Sequence, residues 1–215
     1  MALSSDLEKD AVPAAAARSD GRNRRAAETR RRILAAAKEM IAETSTAPTV
    51  VAVAKRADVS VRSVFQHFGD VESLFVTTVD AIGQDLVIPP PTSRGQSLPD
   101  RIATAVDHLA QIFDKIIPLR VAAGQFANHP TLIERSQALR QEVRQRVVLL
   151  FANEFAALDR EAQEELADAI GGALSLEAWV VLRRRDGLTF ERASAAWRRT
   201  LTALLAHPGD GSAAA

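Results

Sequence analysis

Residues 49–67 read TVVAVAKRADVSVRSVFQH, and this stretch decides the fold. Thr49 is suited to cap a first short helix, because its hydroxyl can accept a hydrogen bond from a free backbone N–H of the first turn. Residues 58–60 predict a tight turn, and residues 61–67 predict a second short helix. Two short helices joined by a tight turn have the organisation of a helix-turn-helix unit.

The second helix of this unit carries a polar face that we expect to be exposed. The polar residues predicted on it are Ser60, Arg62, Ser63 and Gln66. Such a helix suits the DNA major groove, where arginine pairs with guanine and glutamine with adenine. Spacing alone leaves a second interpretation open, namely a plain helical hairpin whose polar face is only solvated.

The rest of the chain also has helical patterns. Apolar residues recur at three- and four-residue steps from about Arg24 to Glu43, and a fourth helix is predicted from about Asp70 toward Asp85. Further helices are predicted from Ser97 to an interruption at Pro118 and over residues 119–128, 131–156, 161–185 and 189–206. With no alternating strand pattern, the sequence predicts an all-α fold of about nine helices.

The predicted organisation has two domains and two tails. They are a disordered tail over residues 1–21, a helix-turn-helix domain over residues 22–70, a ligand-binding and dimerisation domain over residues 71–207, and a second tail over residues 208–215. The clearest linker, PPPTSRG, occupies residues 89–95.

The net charge of the chain is zero, but the charges are unevenly distributed. Residues 18–67 hold eleven Lys and Arg against five Asp and Glu. A basic segment joined to a more acidic remainder is typical of a domain that binds a polyanion. The charge distribution therefore agrees with a nucleic-acid-binding head.

Several classes of function are disfavoured by the sequence. The absence of cysteine excludes disulfides and thiolate metal sites. We find no nucleophile elbow, phosphate-binding loop, dinucleotide fingerprint or metalloprotease motif, and the four histidines lack metal-ligand spacing. We expect a protein without catalytic activity, metal or cofactor. The acidic N-terminus and the lack of a long apolar run predict a cytoplasmic location.

The N-terminal segment resembles the tetracycline-repressor (TetR) family of bacterial transcription regulators over roughly residues 26–75. The matching positions are residues 29–37, Thr49, residues 53–54, 57–60, 65–68 and 72–74. The resemblance implies a three-helix DNA-binding head and a helical body that binds a small molecule. It also implies a homodimer that binds a palindromic operator. We expect a repressor that an effector of largely apolar character releases from DNA.

The resemblance also assigns DNA-binding roles to individual residues. Ser60, Arg62, Ser63 and Gln66 would face base edges or nearby phosphates, and Thr49, Phe65 and His67 would lie against the DNA backbone. Arg22, Arg24 and Arg25 are interpreted as a flexible basic arm that follows the backbone or enters a minor groove.

Three positions depart from the usual pattern of the family. Asp58 replaces the usual glycine of the turn, Phe65 replaces a tyrosine, and Val71 replaces a lysine. Asp tolerates the left-handed conformation better than most residues, but the other two changes remove phosphate-binding groups. We therefore predict fewer phosphate contacts from the head and greater dependence on the arginine arm. The alternative is a helical small-molecule-binding or interaction protein with a degenerate DNA-binding head.

The body offers candidates for a pocket and for a dimer interface. The pocket candidates are His108, Phe113, Arg120, Gln125, Phe126, Phe151, Phe155 and Trp179. The interface candidates are Gly172, Trp179, Trp197 and Leu201. Glycine lowers helix propensity, so its presence at residue 172 is explained if another helix crosses closely there. Taken singly, each pocket candidate is better explained by an ordinary place in the core or on the surface. The alternative for the interface is that both helices pack inside one chain, as at least part of each must do.

Overall fold

The computed structural model describes residues 14–86 and 96–206. The predicted linker, the first thirteen residues of the predicted N-terminal tail and the whole predicted C-terminal tail lie outside these ranges. Within them the chain is helical and has no strand. The predicted all-α class is thus confirmed.

The described residues form ten α-helices. They are α1 Ala14–Thr44, α2 Val50–Arg56, α3 Val61–Phe68, α4 Val71–Asp85, α5 Leu98–Ala122, α6 Pro130–Leu150, α7 Ala152–Ala156, α8 Arg160–Ala173, α9 Leu176–Val180 and α10 Phe190–Ala206. A 3-10 turn over Ala123–Phe126 follows α5, and a π-helical turn over Val181–Arg185 continues α9.

Helix α1 begins ten residues earlier than predicted. Its first residues are four alanines, and arginine is also a good helix former, so the segment has high helix propensity. Arg22, Arg24 and Arg25 therefore lie on an exposed helix. The prediction that they form a flexible arm is wrong for the conformation in this structure.

Helix α5 passes through Pro118, where the sequence predicted a break. A proline inside a helix removes one backbone hydrogen bond and costs about 3 kcal/mol or more. The neighbouring Ile116 and Ile117 are buried in the core. Each buried isoleucine stabilises the fold by roughly 1.5–3 kcal/mol, which offsets the cost of the proline.

Two predicted long helices are each divided in the structure. The helix predicted over residues 131–156 is interrupted at Phe151, whose backbone leaves helical geometry while its side chain is fully buried. The helix predicted over residues 161–185 is interrupted at Leu174. Ser175 then caps α9, and its Oγ accepts a hydrogen bond from Ala178 N at 3.1 Å.

The buried residues form three clusters. The head core joins α1, α2, α3 and α4 around residues such as Ile33, Val53 and Val64. The body core is larger, is built mainly from α5, α8, α9 and α10, and contains both tryptophans. A third cluster, which we call the joint cluster, packs Ile41, Phe75, Ala122 and Leu132 together and connects head to body.

Candidate nucleic-acid interface

The turn between α2 and α3 is set by local hydrogen bonds and one unusual backbone angle. Thr49 Oγ1 accepts from Ala52 N at 3.3 Å, which confirms the predicted cap of α2. Asp58 has a φ of +51°, so it adopts the left-handed conformation expected of it from the sequence. Ser60 Oγ accepts from Ser63 N at 3.1 Å and so caps α3.

Small buried side chains bring α2 and α3 close together. Ala54, Ala57 and Val64 are all nearly inaccessible to solvent in the head core. Arg32 of α1 donates from Nη2 to the carbonyl oxygen of Ala57 at 2.5 Å and to that of Asp58 at 3.2 Å. This arginine therefore holds the turn against α1, and the orientation of α3 is fixed by the head itself.

The outward face of α3 differs in part from the prediction. Val61, Arg62, Phe65 and Gln66 are exposed, whereas Ser63 is half-buried. Ser63 was predicted to point outward, but it is only partly accessible to solvent. The exposed face thus combines a guanidinium, an amide and two apolar groups.

Ser60 and His67 stand at the two ends of α3. The Ser60 hydroxyl already caps the helix through its oxygen, which leaves its proton available as a donor. His67 is half-buried, and its carbonyl oxygen accepts from Arg30 Nη1 at 3.4 Å. The Arg30 guanidinium also lies 4.4 Å from the centroid of the Phe68 ring, so it attaches the end of α3 to α1.

Sequence reasoning missed three exposed residues of the motif. Val51 is 66% exposed on α2, Val61 is exposed at the start of α3, and Lys55 is exposed one turn after Val51. The two valines were missed because apolar residues in short helices are ordinarily assigned to the core. Their exposure could have been inferred from the four-residue spacing, which places Val61 on the same helix face as Phe65 and Val51 on the same face as Lys55.

The cations of the head fall into two groups. Four ion pairs lie within the head: Arg31 with Glu28, Arg32 with Asp58, Lys38 with Asp85, and Arg56 with Glu43. Among the residues whose side chains the structure describes, 21–86 and 96–206, no carboxylate pairs with Arg22, Arg24, Arg25, Lys55 or Arg62. The second group is thus available for the phosphates and bases of a nucleic acid.

The start of α4 is occupied by a carboxylate. Asp70 Oδ1 accepts from Ser73 N at 2.6 Å, and this hydrogen bond lowers the pKa of Asp70 below its ordinary value. The carboxylate therefore stays ionised at neutral pH and takes up a backbone N–H that would otherwise suit a phosphate. Val71 beside it is half-buried against the head core. This geometry favours the predicted loss of phosphate contacts at α4.

In the described part of the chain, cavities lie near the predicted pocket, and two of them are of interest here. The larger one, of about 770 Å³, lies among α4, α5 and α6, and the smaller one, of about 310 Å³, lies among α5, α6, α8 and α9. Of the eight predicted pocket residues, Phe113 lines both cavities and Arg120 lines the smaller one.

The other predicted pocket residues line neither cavity. Phe151, Phe155 and Trp179 are buried in the body core. The Phe126 ring packs against the Phe75 ring with centroids 4.8 Å apart, and Gln125 is exposed on the 3-10 turn.

His108 also lies outside both cavities. It is half-buried on α5, where burial, with a smaller contribution from the positive charge of Arg146, lowers its pKa. Its surroundings therefore favour the neutral form of the imidazole. Sequence patterns identified apolar character correctly, but did not reveal which apolar side chains border empty space.

Three of the predicted interface residues are unavailable to a second chain. Trp179, Trp197 and Leu201 are at most 2% exposed within a single chain, so their assignment to the dimer interface is wrong. The ring centroids of Trp179 and Trp197 are 4.5 Å apart, and the two rings form the centre of the body core. Gly172 is exposed, and no atom of another described segment approaches the place of its missing Cβ within 4 Å.

Two capped helices joined by a left-handed turn form a helix-turn-helix unit, the arrangement that many DNA-binding proteins use. Residues 33–82 match the model of the family described as bacterial regulatory proteins, tetR family. No curated protein matches the chain. Residues 33–82 are thus similar to the DNA-binding segment of this family, and this similarity supports a DNA-binding transcriptional regulator.

The match begins at Ile33 and ends at Ile82. It therefore starts later than the resemblance seen in the sequence and extends through most of α4. None of the described helices has the length and hydropathy needed to cross a membrane.

Proposed function

We propose that the protein is a cytoplasmic, ligand-responsive repressor that binds a palindromic operator as a homodimer. The observation that carries this proposal is the exposed face of α3, where Arg62 and Gln66 stand beside Val61 and Phe65. Arginine and glutamine hydrogen bond to guanine and adenine in the major groove, and apolar groups contact the thymine methyl. The proposed activity is non-covalent and uses no cofactor.

The position of the larger cavity supports a response to a ligand. Val79 and Asp80 of α4 line it, and α4 is the helix that leaves the head. Arg135 Nε of α6 donates to Asp80 Oδ1 at 2.8 Å across this region. A molecule that binds more tightly when this ion pair is open would shift the equilibrium position of α4. Such a shift would change the orientation of the head.

The exposed faces of two helices support the homodimer. On α8 the small residues Ala169 and Gly172 are exposed, and on α10 Ala195 and Ala203 are exposed. Small side chains allow helices to approach closely, as in a bundle formed by two chains. The proposed interface is thus formed by the outer faces of α8 and α10, and not by the two buried tryptophans.

Selection of bound duplexes from a random DNA library tests the function. With full-length protein we expect enrichment of one two-fold symmetric site, because two identical heads bind two identical half-sites. Enrichment of a single half-site would contradict the dimeric arrangement. No enrichment, including at low salt, would contradict sequence-specific DNA binding.

The second candidate is a helical small-molecule-binding protein with a degenerate head. The carboxylate of Asp70 at the start of α4 and the phenyl ring of Phe65 favour it, since neither group binds phosphate. Absence of enrichment together with specific ligand binding by the body would support this candidate.

A further inference from the structure

The smaller cavity has apolar walls and a charged rim. Its apolar lining includes Phe113, Leu139, Val143, Leu174 and Leu176. Its volume of about 310 Å³ lies at the lower end of the range for small-molecule sites. The cavity therefore suits a compact molecule with a substantial apolar part.

Three arginines and two carboxylates form the charged part of the lining. Arg120 Nε lies 3.4 Å from Glu177 Oε1, and Arg144 forms an ion pair with Asp168. Among the described residues, Arg140 has neither an ion pair nor a hydrogen bond, although it lines the same cavity. The rim therefore carries one positive charge in excess.

The larger cavity lacks this excess. Its two arginines are both paired, Arg135 with Asp80 and Arg146 with Glu142. All four of these residues line the cavity, so the charges of its lining balance. The difference in charge between the two cavities assigns an anionic ligand to the smaller one.

We propose that the smaller cavity binds an amphipathic carboxylate. Its apolar body would lie against Phe113 and Leu139, and its carboxylate would receive two hydrogen bonds from the guanidinium of Arg140. A carboxylate carries one negative charge, which matches the one excess positive charge of the rim. A phosphate monoester carries close to two negative charges and matches it less well.

A chain of contacts leads from this cavity to the head. Glu177 lies on α9, which continues into the π-helical turn. Arg184 of that turn donates from Nη2 to Ser45 Oγ at 3.2 Å, and Ser45 directly follows α1. A carboxylate that Arg140 holds in this cavity would also attract the guanidinium of Arg120, which lines the same cavity, away from Glu177. Loss of that ion pair would release α9 and loosen the hydrogen bond between Arg184 and Ser45. That consequence for DNA binding rests on the proposed function.

Binding of decanoate to the full-length protein tests the site directly. Both tryptophans report on it, because Trp179 lies on α9 and the Trp197 ring centroid is 5.9 Å from that of Phe113. We expect decanoate to change the tryptophan fluorescence and to bind at least about tenfold more tightly than decanol or decylamine, since a charge-assisted pair is a strong hydrogen bond. Equal affinity for decanoate and decanol would overturn the proposal.

Variants of the rim make the test specific. Arg140→Gln is expected to weaken decanoate binding about tenfold, while Arg140→Lys keeps part of the preference for the anion. Arg146→Gln at the larger cavity is the matched control and is expected to leave decanoate binding unchanged. Loss of binding in the control but not in Arg140→Gln would overturn the assignment to the smaller cavity.

Release of the selected duplex is measured separately from ligand binding. Decanoate that binds through Arg140 and releases the duplex supports both the site and its regulatory role. Decanoate that binds without releasing the duplex supports the site and overturns the route through α9. Binding of decanoate does not require DNA, so failure to select any duplex would contradict the proposed function while leaving this site established.

Discussion

The head and the body use the same types of residue in opposite ways. In the head, Phe65 is 47% exposed and Arg62 has no ion-pair partner among the described residues. In the body, Trp197 is buried, and Arg101 is held by Glu154 with Nη2 and Oε1 2.5 Å apart. Burial and pairing thus distinguish a structural aromatic or arginine from one that is available for binding, whereas residue type does not.

The largest effect is expected from removing an aromatic side chain of the body core. Trp197→Ala should lower the free energy of unfolding by about 3–5 kcal/mol, because it leaves a cavity against Phe113 and Trp179. Denaturant unfolding of the full chain measures this decrease. The matched control is Phe65→Ala in the head, which should change stability by less than about 0.5 kcal/mol.

The Trp197→Ala variant also tests whether this tryptophan is a core residue of one chain or part of an interface between two chains. If Trp197→Ala separated the proposed dimer into stable, folded monomers, the tryptophan would belong to the interface between chains. Analytical ultracentrifugation on the same samples distinguishes dissociation from unfolding.

The next effect is expected from breaking the partly buried ion pair of the body. Arg101→Met should destabilise the protein by about 3 kcal/mol, because it leaves the Glu154 carboxylate without its partner in a largely desolvated place. The double variant Arg101→Met with Glu154→Leu should recover much of this stability, since no unpaired charge remains. A double variant as unstable as Arg101→Met would show that the guanidinium acts through packing on Phe151.

The same ion pair should make stability depend on pH. The hydrogen bond from Arg101 lowers the pKa of Glu154 below its ordinary value of 4.5. The stabilisation is therefore present above that ordinary value and is lost as the pH falls through the lowered pKa of the folded state. Acid titration of unfolding measures this, and Glu154→Gln should show a smaller decrease in stability over the same range.

A smaller effect, confined to DNA binding, is expected from the exposed arginine of α3. Arg62→Ala should reduce discrimination at one base pair of each half-site by about 1–3 kcal/mol without changing the free energy of unfolding. Binding to the selected duplex and to single-base variants of it measures this reduction. Arg192→Ala, an exposed arginine of α10, is the control and should leave both properties unchanged.

The smallest effect per residue is expected from the arginines at the start of α1. Replacing Arg22, Arg24 and Arg25 together by glutamine should reduce the salt dependence of DNA binding, by up to about 0.9 in logarithmic slope for each phosphate that is no longer neutralised. Arg31→Gln is the control, because Arg31 is already paired with Glu28. An unchanged slope in the triple variant would show that this helix does not approach the DNA backbone.

Local features of the head were predictable from the sequence. The cap at Thr49 was predictable because its hydroxyl bonds within its own turn and Pro48 marks a break in the chain just before it. The cap at Ser175 in the body bonds in the same way, but no obvious break stands beside it, and it was not predicted. The left-handed Asp58 was predictable because a tight turn leaves few residue types able to adopt that conformation.

Features of the body depend on distant partners and were not predictable in the same way. The break at Phe151 and the burial of Trp197 follow from packing among helices that are far apart in sequence. Helical periodicity shows that a residue faces inward on its own helix, but it does not distinguish packing within one chain from packing between two. The pairing of Arg101 with Glu154, 53 residues away, could not be predicted from the sequence pattern.

The joint cluster has a consequence for how such heads can be exchanged between proteins. Ile41 belongs to α1 and Phe75 to α4, yet both pack against Ala122 and Leu132 of the body. A segment cut after residue 70 would lack Leu74 of its own core and would leave Ile41 uncovered. A head moved to another protein should therefore contain all four helices α1 to α4. The body that receives it would need an apolar surface complementary to Ile41 and Phe75.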